Sequence, residues 1–320
     1  MITLSKIAKL ANVSVSTASK AFSMSTEVNE DTRELIFSVA REQGCFKKFY
    51  NAKYPKLVIA VLCPEFESHF YASQVGHINK YLENMGCEMC VASTDFSVES
   101  QNSLLDYYSR YSNVDGIIVI DNSSEAEYRL DIPSVYVSSI DNEGRVTARK
   151  SLFEGVLEAV EYLKSKGVKE IGFIGENKTN TKQDLFLDAM KKCSLEVDER
   201  FIEITEQRFE ESGFIGMSRL IEKGQIPRAI ICAYDNIAVG VISCLSSHGI
   251  RVPEDVAIIG MDNVSYCDYL TPSLSSISLK DEEACNFACD TLINMILGKA
   301  YEKLRRFNSK FIPRESSEII

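Results

Sequence analysis

The stretch ANVSVSTASKAF, residues 11–22, sets four hydroxyl side chains and one lysine between short apolar anchors near the start of the chain. Asn12-Val13 reads as a tight turn, and Ser14 as the N-cap of a helix that turns Ala18, Ala21 and Phe22 inward. Upstream, Thr3 caps a helix with Ile7, Ala8 and Ala11 on one face. Downstream, Asn29 caps a longer helix through Gln43, with Gly44 as its stop. Three short helices ending near residue 44 form a compact unit. The outward face of the second helix then shows Val15, Ser16, Ser19 and Lys20, with Thr17 beside them. Small side chains let such a helix enter a DNA major groove about 12 Å wide. Hydroxyls reach phosphates, a lysine reaches a guanine edge and a valine touches a thymine methyl. The same spacing also suits an ordinary three-helix bundle with solvated serines.

Charge separates the two readings. Residues 1–56 hold nine basic side chains against five acidic ones, although the 320-residue chain carries a formal net charge of −11. A basic module can bind phosphates while an acidic body stays clear of them, which is the asymmetry of a nucleic-acid-binding protein.

The opening MITLSKIAKLANV lacks a long apolar run and is interrupted by Lys6 and Lys9, so no signal peptide is expected. No run of about 18 apolar residues occurs to span a membrane. The ten cysteines are scattered, mostly inside apolar segments such as those around Cys63, Cys232 and Cys244. That is the usage of a soluble, cytoplasmic chain with reduced thiols. Cys87 and Cys90 make one CxxC, which without a second pair reads as a core strand. His69, His77 and His248 have no metal-motif spacing, so neither metal nor cofactor is expected. Walker, GxSxG, HExxH and full GxGxxG motifs are absent, GFIGENK holding only two of the glycines, which counts against an enzyme.

From Lys56 onward the pattern changes. KLVIAVLCP is a continuous apolar run, the mark of a strand buried on both faces. Helical patterns at residues 71–85, 100–109, 153–166, 181–192, 212–222 and 236–247 alternate with CEMCVAS, VDGIIVID, PSVYVSS, EIGFIG, FIEIT, AIICAY and VAIIGMD. Such alternation predicts an α/β architecture with parallel sheets covered by helices, two of them at this length. Open parallel sheets bind ligands at the carboxyl ends of their strands. The candidates there are Asp121 and Asn122, Tyr234 and Asp235, and Asp262 and Asn263. Asp235 reads equally as a helix cap and as a ligand contact.

TLSKIAKLANVSVSTASKAF resembles the opening of the lac repressor (LacI/GalR-type) family of bacterial transcription regulators. The resemblance continues in order through VNEDTRELI, NVDGIIVI, IPSVYV, DNIAVGV, GIRVPEDVAIIGMDNV, YLTPSLSSIS and FIPRESS. It implies a helix-turn-helix head over residues 1–46 and a hinge over 47–56. It also implies a two-lobed domain over 57–320, like the periplasmic binding proteins. Lobe 1 would take about 57–150 and 280–305, and lobe 2 about 151–279 and 306–320.

By that resemblance Val15, Ser16 and Lys20 read bases, while Ser14, Thr17 and Ser19 contact phosphates. Lys20 stands where many members have arginine, which keeps a cation and loses the bidentate fork for guanine. In the hinge, Lys47 and Lys48 replace Pro-Asn, Asn51 replaces alanine, and Tyr54 occupies the position of a leucine that wedges into the minor groove. The effector cleft would be lined by Tyr71, Asn122, Ser138, Lys182, Asp235, Asp262 and either Arg208 or Phe209, of which Phe209 is preferred. Ser138-Ser139 and Ser151-Leu152 stand where charged or amide pairs are frequent, which admits a larger or less polar ligand than a monosaccharide. The implied protein is a homodimeric repressor whose hold on a pseudo-palindromic operator is altered by a small ligand, a sugar or sugar derivative. The alternative is a cytoplasmic small-molecule-binding protein that reads no DNA. No heptad run follows Ile312 to build a tetramerising coiled coil.

Overall fold

The computed structural model describes residues 2–49, 56–121, 132–139 and 144–319. The chain divides into two compact units, Met1–Leu57 and Val58–Ile320.

The first unit is built from α1 (Leu4–Leu10), α2 (Val15–Phe22), α3 (Glu30–Glu42) and the single turn α4 (Phe46–Phe49). Each of the first three helices is capped as its sequence dictates. Ser14 Oγ accepts the Thr17 N–H at 2.9 Å and Asn29 Oδ1 accepts that of Thr32 at 2.8 Å. Thr3 Oγ1 accepts the Lys6 N–H at a longer 3.4 Å. Asn12 takes φ 53° in the turn between α1 and α2, a left-handed conformation that asparagine tolerates better than most. Ile7, Ala8, Ala11, Ala18, Ala21, Phe22, Ile36, Phe37 and Ala40 form the core. The alanines let three short helices approach closely around the larger Phe22 and Phe37.

The expected head ends at 46, yet the structure carries it further. Phe46 and Phe49, one turn apart on α4, pack on this core. Phe46 meets Phe37 edge-on at 4.9 Å, and Phe49 lies 5.7 Å from Phe22.

Among the described residues, the second unit holds two six-stranded sheets. The first contains β1 (Val58–Cys63), β2 (Glu88–Ser93), β3 (Gly116–Asp121), β4 (Ser134–Ser138), β5 (Thr147–Ser151) and β11 (Leu304–Asn308), in the order β11-β5-β4-β3-β1-β2. It is covered by α5 (His69–Asn84), α6 (Val98–Arg110) and α11 (Asp281–Ile296). The second contains β6 (Ile171–Glu176), β7 (Ile202–Thr205), β8 (Ala229–Cys232), β9 (Ala257–Met261), β10 (Ser275–Ser278) and β12 (Lys310–Ile312), in the order β12-β10-β9-β8-β6-β7. Its helices are α7 (Phe153–Ser165), α8 (Asn180–Lys192), α9 (Phe209–Glu222) and α10 (Asp235–Ser247). Among the described residues, all pairings are parallel except β10 with β12. The central strands β6, β8 and β9 are buried along their whole length, which is why they read as unbroken apolar runs. Each fully buried aliphatic side chain there contributes roughly 1.5–3 kcal/mol of transfer free energy.

The chain crosses between the sheets three times, after β5, after β10 and after β11. The last crossing falls at Ser309, because β11 pairs along β5 as far as Asn308; the expected lobe boundary near 305 therefore moves to the strand's end. Ser309 is buried, donates its hydroxyl to Leu152 O at 2.8 Å and accepts the Gly155 N–H at 2.8 Å, so it ties the first and third crossings together. A Cβ on Gly155 would come within 2.7 Å of that hydroxyl, so glycine is required for the approach.

Candidate nucleic-acid interface and ligand cleft

On α2 the N-cap Ser14, Val15, Ser16 and Ser19 are exposed, while Thr17 and Lys20 are half-buried. Val15 leaves 46% of its surface free, a poor place for a valine unless something covers it. The Ser14 hydroxyl is engaged by the Thr17 N–H and by Thr17 Oγ1 at 2.8 Å, so it holds the helix start in place. No acidic residue occupies the first turn of α2, which leaves its partial positive charge open to an anion. Lys20 reaches out of the helix to pair with Glu27. Arg33 is buried to 8% exposure and donates to Ser25 O at 2.9 Å and Val28 O at 2.8 Å, which fixes the loop between α2 and α3. Tyr54 lies outside the described residues, as do the side chains of Lys47 and Lys48.

In the second unit a cavity of about 740 Å³ opens between the two sheets. Its walls carry six aromatic side chains, Phe70, Tyr71, Phe96, Phe153, Phe209 and Tyr234, among paired charges. Lys182, near the start of α8, donates to Ala233 O at 2.8 Å and to Asp262 Oδ1 at 3.0 Å. Burial raises the Asp262 carboxyl, and the Lys182 ammonium opposes that rise. Phe209 holds φ 55°, a strained conformation for a bulky residue. The surroundings impose it: the Phe209 N–H donates to Tyr234 Oη at 3.0 Å, and the Arg208 guanidinium stacks on the Phe209 ring at 4.4 Å. Burial in turn pushes the Tyr234 phenol up, keeping it a neutral donor and acceptor.

Four expected residues, Tyr71, Lys182, Phe209 and Asp262, therefore come together on this cavity. Asn122 lies outside the described residues. Asp235 does not line the cavity. Its side chain is 1% exposed, and its two oxygens accept the Val264 N–H at 2.8 Å and the Ser276 hydroxyl at 2.5 Å. Asp235 is thus neither a cleft residue nor the cap of α10, a position Tyr234 holds; it is an anchor inside its lobe. Ser138 is likewise fully buried inside β4, and its neighbour Ser139 reaches the cavity instead. Sequence reasoning missed Phe70, Phe96, Glu65 and Lys150 on the walls. Tyr234, named only as a strand-end candidate, takes the place assigned to Asp235.

Residues 3–44 match the family model of bacterial regulatory proteins, lacI family, and residues 160–317 match that of the periplasmic binding protein-like domain. The chain is 29% identical to the probable HTH-type transcriptional repressor ExuR of Bacillus subtilis (strain 168), over 99% of this chain and 98% of that protein. It is 28% identical to the HTH-type transcriptional repressor PurR of Escherichia coli, over 94% and 92%. Among solved structures, the transcriptional regulator CelR in complex with cellobiose superposes with a TM-score of 0.69 at 22% identity, covering 99% of this chain and 100% of that one. The lac repressor dimer bound to operator and an anti-inducer gives 0.73 at 18% identity, covering 99% of each. With its capped helix-turn-helix head and its two sheets in the same chain, this protein joins a lacI-family DNA-binding domain to a periplasmic binding protein-like domain.

Proposed function

We propose that the chain is a cytoplasmic, homodimeric transcriptional repressor that binds a pseudo-palindromic DNA site through α2 and releases or tightens its hold when a sugar or sugar derivative fills the cleft. The exposed face of α2 carries this reading. Val15, Ser16 and Lys20 meet base edges there; Thr17 and Ser19 reach phosphates, with Ser14 holding the helix start against the backbone. Lys47 and Lys48 add phosphate contacts, and Tyr54 takes the wedge position at the minor groove. In the cleft, Tyr71 and Phe209 offer flat faces to a sugar ring, and Lys182 and Asp262 offer a donor and an acceptor for its hydroxyls. A ligand that fits one arrangement of the lobes better than another shifts their equilibrium, and a dimer converts that shift into a change of spacing between two heads. The relatives named as repressors support the sign of the regulation.

The test is an affinity measurement on duplexes enriched from random DNA, repeated with a panel of mono- and disaccharides and their acids. One panel member should change the wild-type affinity tenfold or more, and Phe209→Ala should remove the response while retaining DNA binding. A chain that enriches no duplex but binds a sugar is a small-molecule-binding protein without DNA reading. Turnover of the sugar would make it an enzyme.

A further inference from the structure

Glu65 and Phe96 stand on one lobe, in the turns after β1 and β2. Lys178 and Arg208 stand on the other, in the turns before α8 and α9. All four line the cavity, and they meet each other across it. Arg208 directs both terminal nitrogens at Glu65, at 2.7 and 2.9 Å, and its Nε at Glu176 of its own lobe at 3.3 Å. The Phe96 ring serves both cations, lying 4.3 Å from Lys178 Nζ and 5.9 Å from the Arg208 guanidinium carbon. The Glu65 side chain is only 11% exposed, so this forked pair is sheltered from the screening that weakens surface ion pairs.

The backbone is bent to make the contact. Asp95 and Phe96 both take positive φ, 50° and 56°, a costly conformation for two successive residues that are not glycine. Opening the contact does not strand a buried charge. Arg208 keeps Glu176 on its own lobe, and Glu65 lines the cavity, where water can replace the guanidinium once the lobes part. A pair that can be parted without an orphaned ion is reversible, unlike a buried pair that loses its sole partner.

We infer that Glu65, Phe96, Lys178 and Arg208 form a latch that holds the two lobes closed before ligand enters, and that opening this latch is the step a ligand must await. The inference deepens the reading of the cleft as an effector site and rests on it. Because the closed arrangement brings both walls to the ligand, weakening the latch speeds association and lowers affinity.

Genetically encoded spin labels at Lys80 and Lys191, exposed positions on α5 and α8, report the lobe separation in the full chain by pulsed dipolar spectroscopy. The wild type should give one narrow distance. Glu65→Gln should add a longer-distance population, and Lys178→Ala, which alters an exposed side chain, should add a smaller one in the same direction. If Glu65→Gln fails to fold, Lys178→Ala decides. Distributions identical to wild type in the folded variants overturn the latch. The effector-site reading fails separately, when no member of the sugar panel shifts the wild-type melting temperature or lobe distance.

Discussion

Lys150 Nζ meets Asp281 Oδ1 at 2.8 Å where two of the three crossings between the sheets come together. Lys150, the penultimate residue of β5, is 2% exposed, donates also to Gln74 Oε1 at 3.0 Å, and lies 4.5 Å from the Phe70 ring. A buried ammonium is tolerated only with such partners. Lys150→Met or Asp281→Asn alone should cost about 3–5 kcal/mol, since each leaves a buried charge unmatched. The paired change Lys150→Met with Asp281→Leu should recover most of that loss. Chemical denaturation of the full chain measures it, and additive losses in the double variant would show that the two residues act independently.

Asp235 provides a pH test. Burial first, and the neighbouring Asp262 carboxylate second, push it up to about 7, against the hydrogen bonds from Ser276 and Val264. A carboxyl harder to ionise in the folded state holds its proton more tightly there than in the unfolded chain. Its contribution to stability therefore falls as pH rises from about 4 through 7. Asp235→Asn keeps an acceptor for the Val264 N–H and removes the charge. The variant should match wild type near pH 4 and exceed it by on the order of 2–4 kcal/mol at pH 8. Thermal melts across that window check the slope; parallel profiles would contradict the assignment.

Helices α9 and α10 pack in contact through glycine. A Cβ on Gly213 would sit 1.9 Å from Ile237 O, and one on Gly240 would sit 1.9 Å from Glu210 O. Backbone cannot yield as a side chain does, so Gly213→Ala or Gly240→Ala should separate the helices and cost about 3 kcal/mol or more. Neither glycine has a positive φ, so the same change at Gly76, where nothing lies within 4 Å, is a fair control and should be neutral or mildly stabilising.

Lys20 pairs with Glu27. The two side chains are 44% and 66% exposed, so the pair is weak, but it competes with any base or phosphate for the ammonium. Glu27→Gln should strengthen DNA binding severalfold, most at low salt, without changing the preferred sequence. Lys20→Met should cost about 1–3 kcal/mol of binding and relax the preference at one position of each half-site. Competition binding at two salt concentrations separates these outcomes.

The head was legible because its helices announce themselves locally: Ser14 and Asn29 cap, the alanines fall at helical spacing, and Gly44 takes φ 64° just past α3. The apolar strands were legible for the same reason. The strand β5, TARKS, was not, because it carries no apolar run; Lys150 is buried there by Asp281, which is remote in sequence and joins it only in the fold. Arg208 and Glu65 are equally remote, and no local pattern joins them. Asp235 was misassigned by one position. At the end of β8 the chain turns into α10, so Tyr234 faces the cleft while Asp235, the first residue of the helix, turns inward over Gly260. Alternation of this kind is set by where the strand stops, which the sequence leaves uncertain by a residue.

The proposed reading of DNA by α2 can be measured directly. The measurement is enrichment of duplexes from a random pool by the full chain at fixed, near-physiological salt, run beside Lys20→Met under the same conditions. The expected result is a two-fold symmetric site for the wild type, with the preference at one position of each half relaxed in the variant. No enrichment by a folded, dimeric wild-type chain, with cell extract present to supply any missing corepressor, would contradict it.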